Sequence, residues 1–342
     1  MAPLAELARR WIDRWGDPVV ERVVFGVGDA DLVAAEYDRF CRDHLGAPVA
    51  DGRFYVTSVG CVAGVVLGDG RAVVIKAYQP RWGRAFLEAV VRVQGHIADG
   101  GFPCGRPLCG PAPIGAGLAT AETMVEDPGQ PPITADMLAV SAGGLARVVA
   151  LCADADGSGL SPHPLDAPSG ALYPEPHSPI FDFQATAAGA GWIDDLAVAA
   201  RDQRGRLAGT LVVAHTDWSA RNVRLRPEGV VAAFDWDSLS LVAETTAVGN
   251  AAATWSAGEH AVETAPSAAE VAAYTRAYQA ARGRAFTAGE WDAVGAAALW
   301  VLAYTARCEH SLAPGGGGPQ RARGRLRAEG DALLRLSELA GA

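Results

Sequence analysis

Lysine is almost missing from this chain. Of its 29 basic residues, 28 are arginine and one, Lys76, is lysine. Asparagine is nearly as scarce, with only Asn222 and Asn250. The excess of alanine, glycine and arginine indicates a coding bias that places arginine wherever charge alone is needed. A lysine that survives such a bias marks work a planar guanidinium does poorly, such as setting a compact ammonium between phosphates and a carboxylate. Chance retention is the alternative. Positive net charge is also lacking: the balance is −10, which argues against a nucleic-acid partner, since phosphate neutralisation drives that binding. An acidic surface suits a cationic substrate and equally suits plain solubility.

Other absences narrow the class further. No uninterrupted apolar run reaches the roughly 18 residues that span a bilayer, so no membrane partner is expected. Residues 1–16 alternate apolar positions with Arg9, Arg10, Asp13 and Arg14. They read as an amphipathic helix rather than a signal peptide, and a cytoplasmic location is the default expectation. The six cysteines (Cys41, Cys61, Cys104, Cys109, Cys152, Cys308) have neither zinc-ribbon nor Cys-x-x-Cys spacing and are expected as buried free thiols. There is no internal repeat and no Gly-x-x-x-x-Gly-Lys loop.

What is present is an ordered succession of patterns. Residues 3–16 and 30–46 have helical periodicity. From Arg53 the pattern becomes strand-like, giving an antiparallel meander over 54–57, 61–67 and 72–78, with Gly68-Asp69-Gly70 as a hairpin turn and Lys76 near the end of the third strand. A helix over 84–98 carries Glu88. Pro103, Pro107, Pro111 and Pro113 mark turns, and residues 119–125 read as two short extended pieces. Residues 134–152 and 192–203 are helical. The Pro/Ser/Gly/His-rich stretch 154–179, which contains His163 and His177, is long enough to be a lid or a disordered loop. Residues 211–214 and 230–234 are apolar and read as buried strands, parallel or hairpin-like. Ser267/Glu270 and Thr287/Glu290 have capping-box spacing, and Gly315–Gly318 is a flexible loop before a last helix.

Chemistry concentrates in His215-Thr216-Asp217-Trp218-Ser219-Ala220-Arg221-Asn222. A strand enters this segment, and Asp235 closes the next apolar strand 13 residues after Asn222. Phosphoryl transfer needs this combination: an oxygen that accepts a hydroxyl proton, hard oxygen ligands for Mg²⁺, and a cation on the phosphates. The His-x-Asp-x-x-x-x-Asn segment followed by Phe234-Asp235-Trp236-Asp237 resembles the catalytic loop and metal segment of the aminoglycoside phosphotransferase/choline kinase-like family. Lys76 followed by Glu88, and a hinge-like stretch from Met124 to Gly129, continue the likeness over roughly residues 50–310.

The resemblance implies an α+β, bilobal protein-kinase-like fold, with a small antiparallel-sheet N-lobe and a larger, mainly helical C-lobe. Residues 1–50 would form an N-terminal helical extension, 51–127 the N-lobe and 128–342 the C-lobe. Asp217 would be the catalytic base, and Asn222 and Asp235 the Mg²⁺ ligands. Lys76, paired with Glu88, would contact the phosphates, with Ser58 and the backbone near Glu126 completing the nucleotide site for ATP or GTP. His215 would brace the loop. Asp237 would help orient the metal ligand or cap the following helix. Trp255, Trp300, Tyr304 and Glu309 fall where this family binds acceptor, with core packing the competing role for the aromatics. Thr216 stands where the family has glycine, which makes it the position to inspect for backbone strain.

The implied activity is transfer of a nucleotide γ-phosphate to a hydroxyl of a small molecule. An antibiotic of aminoglycoside or nucleoside type is the leading acceptor, and acidic residues in the helical region hint at a cationic one. A kinase of a sugar or amino alcohol, and a non-catalytic nucleotide-binding regulatory protein, are the alternatives. A protein kinase fits less well, because Asp-Phe-Gly and Ala-Pro-Glu are absent.

Overall fold

The computed structural model describes residues 2–166, 170–176, 181–207, 209–257, 265–313 and 321–341. His177 and the Gly315–Gly318 run lie outside these residues. The chain divides into two compact units, Met1–Glu126 and Asp127–Ala342.

In the first unit, helices α1 (Leu4–Trp15), α2 (Val19–Phe25) and α3 (Ala30–Leu45) precede strands β1 (Val49–Thr57), β2 (Cys61–Leu67) and β3 (Ala72–Tyr78). Helix α4 (Arg84–Asp99) and strands β4 (Pro107–Ile114) and β5 (Gly117–Thr123) follow. The strands form one antiparallel sheet in the order β1-β2-β3-β5-β4. The expected meander is therefore three-fifths of a larger sheet. Strand β4 was hidden by its prolines. Pro107, Pro111 and Pro113 sit on an edge strand, where a missing N–H costs no ladder bond. The 119–125 stretch is a single strand rather than two pieces.

Alternation along the strands sends one set of side chains toward α1–α3 and the other to the opposite face. Tyr55, Cys61, Ala63, Val65, Val73 and Ile75 share a buried core with Leu4, Ala8, Val24, Phe25, Val33, Tyr37 and Phe40. Residues 1–50, expected as an extension, thus supply one cover of the sheet. Polar ties reinforce the contact: Trp11 Nε1 donates to Thr57 Oγ1 at 2.8 Å and Tyr37 O–H to the Cys61 carbonyl at 2.9 Å. All six cysteines are free. Four are buried, while Cys104 and Cys109 are half-buried. Burial pushes the Cys41, Cys61, Cys104 and Cys152 thiols up to about 12, so these four stay protonated near neutral pH.

The second unit contains α5 (Met137–Leu151), α6 (Gly191–Arg206), β6 (Leu211–His215), β7 (Val223–Arg226), β8 (Gly229–Ala233) and β9 (Leu239–Ala243). Helices α7 (Glu244–Thr254), α8 (Ala268–Arg282), α9 (Ala288–Leu312) and α10 (Arg321–Leu334) complete it. Strands β6 and β8 do not pair with each other. Strand β8 folds back on β7 through a short turn, and β6 pairs with β9. Both expected capping boxes are formed, at Ser267/Glu270 and Thr287/Glu290.

The window Met137–Asp154 is not an uninterrupted apolar run, since Ser141, Arg147 and Asp154 fall within it. It has a mean hydropathy of 1.5 over 18 residues and could cross a membrane by length and composition alone. Its helical part, α5, buries Ser141, Leu145, Val148 and Val149 within this unit and carries Arg147.

Helix α9 is the spine of the second unit, and two glycines set its closest approaches. A Cβ on Gly249 of α7 would lie 2.4 Å from the Val294 carbonyl, and one on Gly295 would lie 1.9 Å from the Leu333 carbonyl. Both obstacles are backbone, which cannot rotate away. Replacing Gly295 by alanine should therefore cost stability, by about 1–3 kcal/mol as for other overpacked sites, despite alanine's helix advantage of about 1 kcal/mol. Urea denaturation checks this; a stabilised Gly295→Ala would show that α9 and the end of α10 can separate without penalty.

Candidate active site

Two connections carry the chemistry-bearing residues, and two strand ladders bring them together. Residues 216–222 link β6 to β7, and residues 234–238 link β8 to β9. The β6/β9 ladder ends at the His215–Leu239 pair, and the Thr216 N–H continues it by donating to the Ser238 carbonyl at 3.0 Å. The β7/β8 ladder begins at Val223–Ala233, and the Phe234 N–H extends it by donating to the Asn222 carbonyl at 2.8 Å. Each connection is thus stitched to the other at both ends.

His215 is fully buried and joins the two connections directly. Its Nε2 faces the Phe234 carbonyl at 2.9 Å, and its Nδ1 faces the Asp217 N–H at 3.2 Å. A carbonyl can only accept and an N–H can only donate, so the ring is neutral with its proton on Nε2. Trp218 and Trp236 pack edge-on against it at 5.7 and 5.4 Å. Trp218 is pinned in turn by its Nε1 donating to the Ser141 carbonyl of α5 at 3.0 Å. The tryptophans are thus walls of the site.

Asp217 is exposed while its surroundings are fixed. Asn222 Nδ2 donates to the Asp217 carbonyl at 3.0 Å and to Oδ2 at 2.8 Å, and Ser219 Oγ lies 3.4 Å from Oδ1. Since the Asn222 nitrogen faces Asp217, its amide oxygen is directed away. Asp235 is the non-glycine residue with positive φ among the described residues, at φ 63 and ψ 47. Aspartate tolerates this left-handed conformation better than most residues. Among the described non-glycine residues the left-handed backbone falls at Asp235 and not at Thr216, the position singled out for inspection. Thr216 has ordinary φ, and its hydroxyl donates to the Ser238 carbonyl at 2.8 Å, a bond glycine could not make.

The pair of an amide oxygen and a carboxylate, on connections tied within 2.8 Å by backbone, is the hard oxygen donor set that suits Mg²⁺. No group of three or more His, Cys, Asp or Glu able to hold a metal occurs among the described residues. Asn222 and Asp235 are the residues that would hold such an ion.

In the first unit, Lys76 lies on β3 between Val62 and Thr120 in register, on the face opposite Ile75, and is buried. Glu88 is half-exposed and forms an ion pair with Arg84, at 3.9 Å. About one and two-thirds turns further along α4, the buried Gln94 reaches the Gly105 carbonyl and the Glu122 carboxylate. Ser58 lies in the β1–β2 turn, where its N–H donates to the Gly60 carbonyl at 3.0 Å. Glu126 is exposed as the last residue of the unit. Asp237 is half-buried beside Trp236 in a short 3-10 turn.

The four expected acceptor residues have structural partners. Trp255 is buried, and its carbonyl accepts the Ala220 N–H at 3.0 Å. Trp300 is buried, stacks on Tyr304 at 6.3 Å, and donates to the Leu172 carbonyl. Glu309 caps α10: its two oxygens accept the Ala322 and Arg323 N–H groups at 3.0 and 3.1 Å. Several other acids that hinted at a cationic acceptor are taken up by arginine. Glu244 meets Arg282 and Arg284, Asp166 meets Arg204, and Asp194 meets Arg307. Sequence reading also passed over Ser219 and Arg224. One more arginine among 28 carried no signal.

No family profile and no curated protein matches the chain. Solved structures do. A spectinomycin phosphotransferase solved with ADP and spectinomycin superposes with a TM-score of 0.51 at 11% identity, over 90% of this chain and 97% of the other. An amicoumacin kinase solved with AMP-PNP and Ca²⁺ gives 0.52 at 11%, over 90% and 94%. An aminoglycoside phosphotransferase from Alicyclobacillus acidocaldarius subsp. acidocaldarius DSM 446 gives 0.50 at 15%, over 88% and 95%. The chain has the bilobal protein-kinase-like fold. Within that class, the chains it superposes on are small-molecule phosphotransferases.

The start of the 154–179 stretch is tied down rather than loose. Leu165 is buried, Asp166 pairs with Arg204 at 2.9 Å, and His163 faces the Asn250 amide at 2.8 Å. Burial pushes the His163 imidazole down from 6.5 to about 4, with Asp166 opposing and Arg204 adding to the shift. The unfolded chain takes up this proton below pH 6.5, whereas the folded chain refuses it until about pH 4. Stability is therefore complete above pH 6.5 and is lost progressively as the pH falls toward pH 4. Urea midpoints measured across this range should fall in the wild type and flatten in His163→Gln; equal slopes would remove His163 as the source.

Proposed function

We propose that this chain is a small-molecule kinase that transfers the γ-phosphate of ATP to a hydroxyl of a polyhydroxy antibiotic. The observation that carries the reading is the stitched pair of connections. It holds an exposed aspartate, oriented through both backbone and side chain, beside a left-handed aspartate and an outward-directed amide oxygen.

In this reading the Asp217 carboxylate aligns the acceptor hydroxyl and accepts its proton. A bond forms between the acceptor oxygen and the γ-phosphorus, the bond from that phosphorus to the β,γ-bridging oxygen breaks, and ADP departs. Mg²⁺, when bound, supplies neutralisation of phosphate charge, and Asn222 and Asp235 are the residues that would hold it. Lys76, compact and kept from water by its strand neighbours, contacts the phosphates. Asn222 has two duties. Its nitrogen restrains the Asp217 carboxylate in one rotamer, and its oxygen is offered to the metal. His215 keeps both connections in register.

Acceptor recognition by hydroxyl and ring contacts fits better than recognition by charge, because the acids named above already face arginines. The spectinomycin and amicoumacin enzymes support an antibiotic acceptor by similarity of fold. A kinase of a sugar or amino alcohol would use the same machinery.

The test is an acceptor screen across antibiotics and sugars, read by mass gain of one phosphate. With the acceptor found, Asp217→Ala should lower turnover about a thousandfold, the scale of a general base, and leave nucleotide binding intact. Wild-type turnover in that variant would assign the base elsewhere.

A further inference from the structure

Arg224 stands two residues after Asn222 at the start of β7, and its guanidinium touches three segments at once. Its Nε and Nη2 form a two-pronged ion pair with Asp127 Oδ1 and Oδ2, both at 2.6 Å. Its Nη1 donates to the Ala220 and Arg221 carbonyls, both at 3.0 Å. Its plane lies over the Phe234 ring at 5.2 Å. Each contact falls beside a residue of the site or at the unit boundary. Ala220 and Arg221 precede Asn222, Phe234 precedes Asp235, and Asp127 follows Glu126.

We propose that Arg224 is a positioning residue that locks the two metal-ligand connections to the segment opening the second unit, so that Asn222 and Asp235 are held at metal-binding separation. The inference rests on the kinase reading. The guanidinium is suited to the task because its planar fork matches a carboxylate while its face stacks on an aromatic ring, and neither is open to lysine. Asp127 is prepared for the pairing: its Oδ1 also accepts the Gly129 N–H at 2.9 Å. Arg224 holds its carboxyl below the usual range.

The neighbouring strand positions provide an internal control. Arg226 Nη2 grips the same opening segment through the Pro128 and Gly129 carbonyls at 3.0 and 2.9 Å, and its recorded bonds reach neither metal-ligand connection. Anchoring of the segment and coupling to the site are therefore separable by mutation.

The experiment compares Arg224→Gln, Arg224→Lys and Arg226→Gln in the full chain by two readouts. Amide hydrogen exchange at Asn222 and Phe234 needs no ligand. Magnesium dependence of ATP binding needs no acceptor. Both Arg224 variants should accelerate exchange at these amides by roughly tenfold, with α9 unaffected, and should raise the magnesium concentration for half-maximal ATP binding by a similar factor. Arg226→Gln should change neither. Unchanged exchange at Asn222 and Phe234 in Arg224→Gln overturns the lock. So does faster exchange with unchanged magnesium dependence, which would make the contact purely structural. Equal effects from Arg226→Gln would assign the result to anchoring of residues 127–130. Should wild-type protein bind no ATP at any magnesium concentration, the kinase reading fails and the metal-positioning role fails with it, while exchange still reports whether Arg224 holds the two connections together.

Discussion

A neutral imidazole between two backbone groups is the contact on which the candidate site depends. His215 presents one acceptor to the Asp217 N–H and one donor to the Phe234 carbonyl. Neither group belongs to a strand ladder, so without the ring both would be buried or half-buried polar atoms in need of a partner. The two tryptophans pack edge-on against the ring, and all three side chains are buried. The same histidine thereby sets where the exposed Asp217 carboxylate begins and where the chain must turn to reach Asp235. The left-handed backbone at Asp235 costs on the order of 1 kcal/mol. It is retained because the Phe234 carbonyl, one residue earlier, is already committed to His215, and the Ser238 carbonyl, three residues later, to Thr216.

Rigid surroundings make that arrangement useful. Strand β7 is tied to β8, which leads into Asp235, and β6 to β9, which brings the chain back from it. Helix α5 holds Trp218 from behind. Helix α7 meets the loop through the Trp255 carbonyl and is itself pressed against α9 at Gly249. Buried Glu244 is satisfied by the Tyr278 hydroxyl and two arginines, so the charge inside the helical layer is balanced locally. The first unit has a similar logic on a smaller scale: three helices cover one face of the sheet and leave Lys76 on the other.

Several of these features were legible in the sequence. The His-x-Asp-x-x-x-x-Asn spacing and Asp235 defined the loop pair, because spacing along a short connection dictates which groups can meet. Both capping boxes were readable for the same reason: their partners are three residues apart. The meander, the turn at Gly68–Gly70 and the main helices followed from periodicity. Strand β4 did not, since prolines on an edge strand look like turns until the edge is known. Glu88 was assigned to Lys76 by order along the chain, and its carboxylate lies 3.9 Å from Arg84, about one turn back on the same helix. Glu309 looked like a ligand-facing acid and is a helix cap, because the start of α10 returns to it after an intervening stretch.

The sequence by itself determined the reaction chemistry on offer: one lysine, one aspartate-asparagine loop, and one further aspartate at the end of an apolar run. These are local facts, set by residue type and short-range spacing. Only the tertiary structure decided the strand partners, the place where strain is stored, and the role of Arg224. The pairing of β6 with β9 and of β7 with β8 joins segments that are not marked as partners by their patterns, and the left-handed backbone at Asp235 lies between those two ladders. The contacts of Arg224 with Asp127, 97 residues away, and with Phe234 exist only once distant segments converge. No pattern along the chain marks one arginine among 28 as the point where they do.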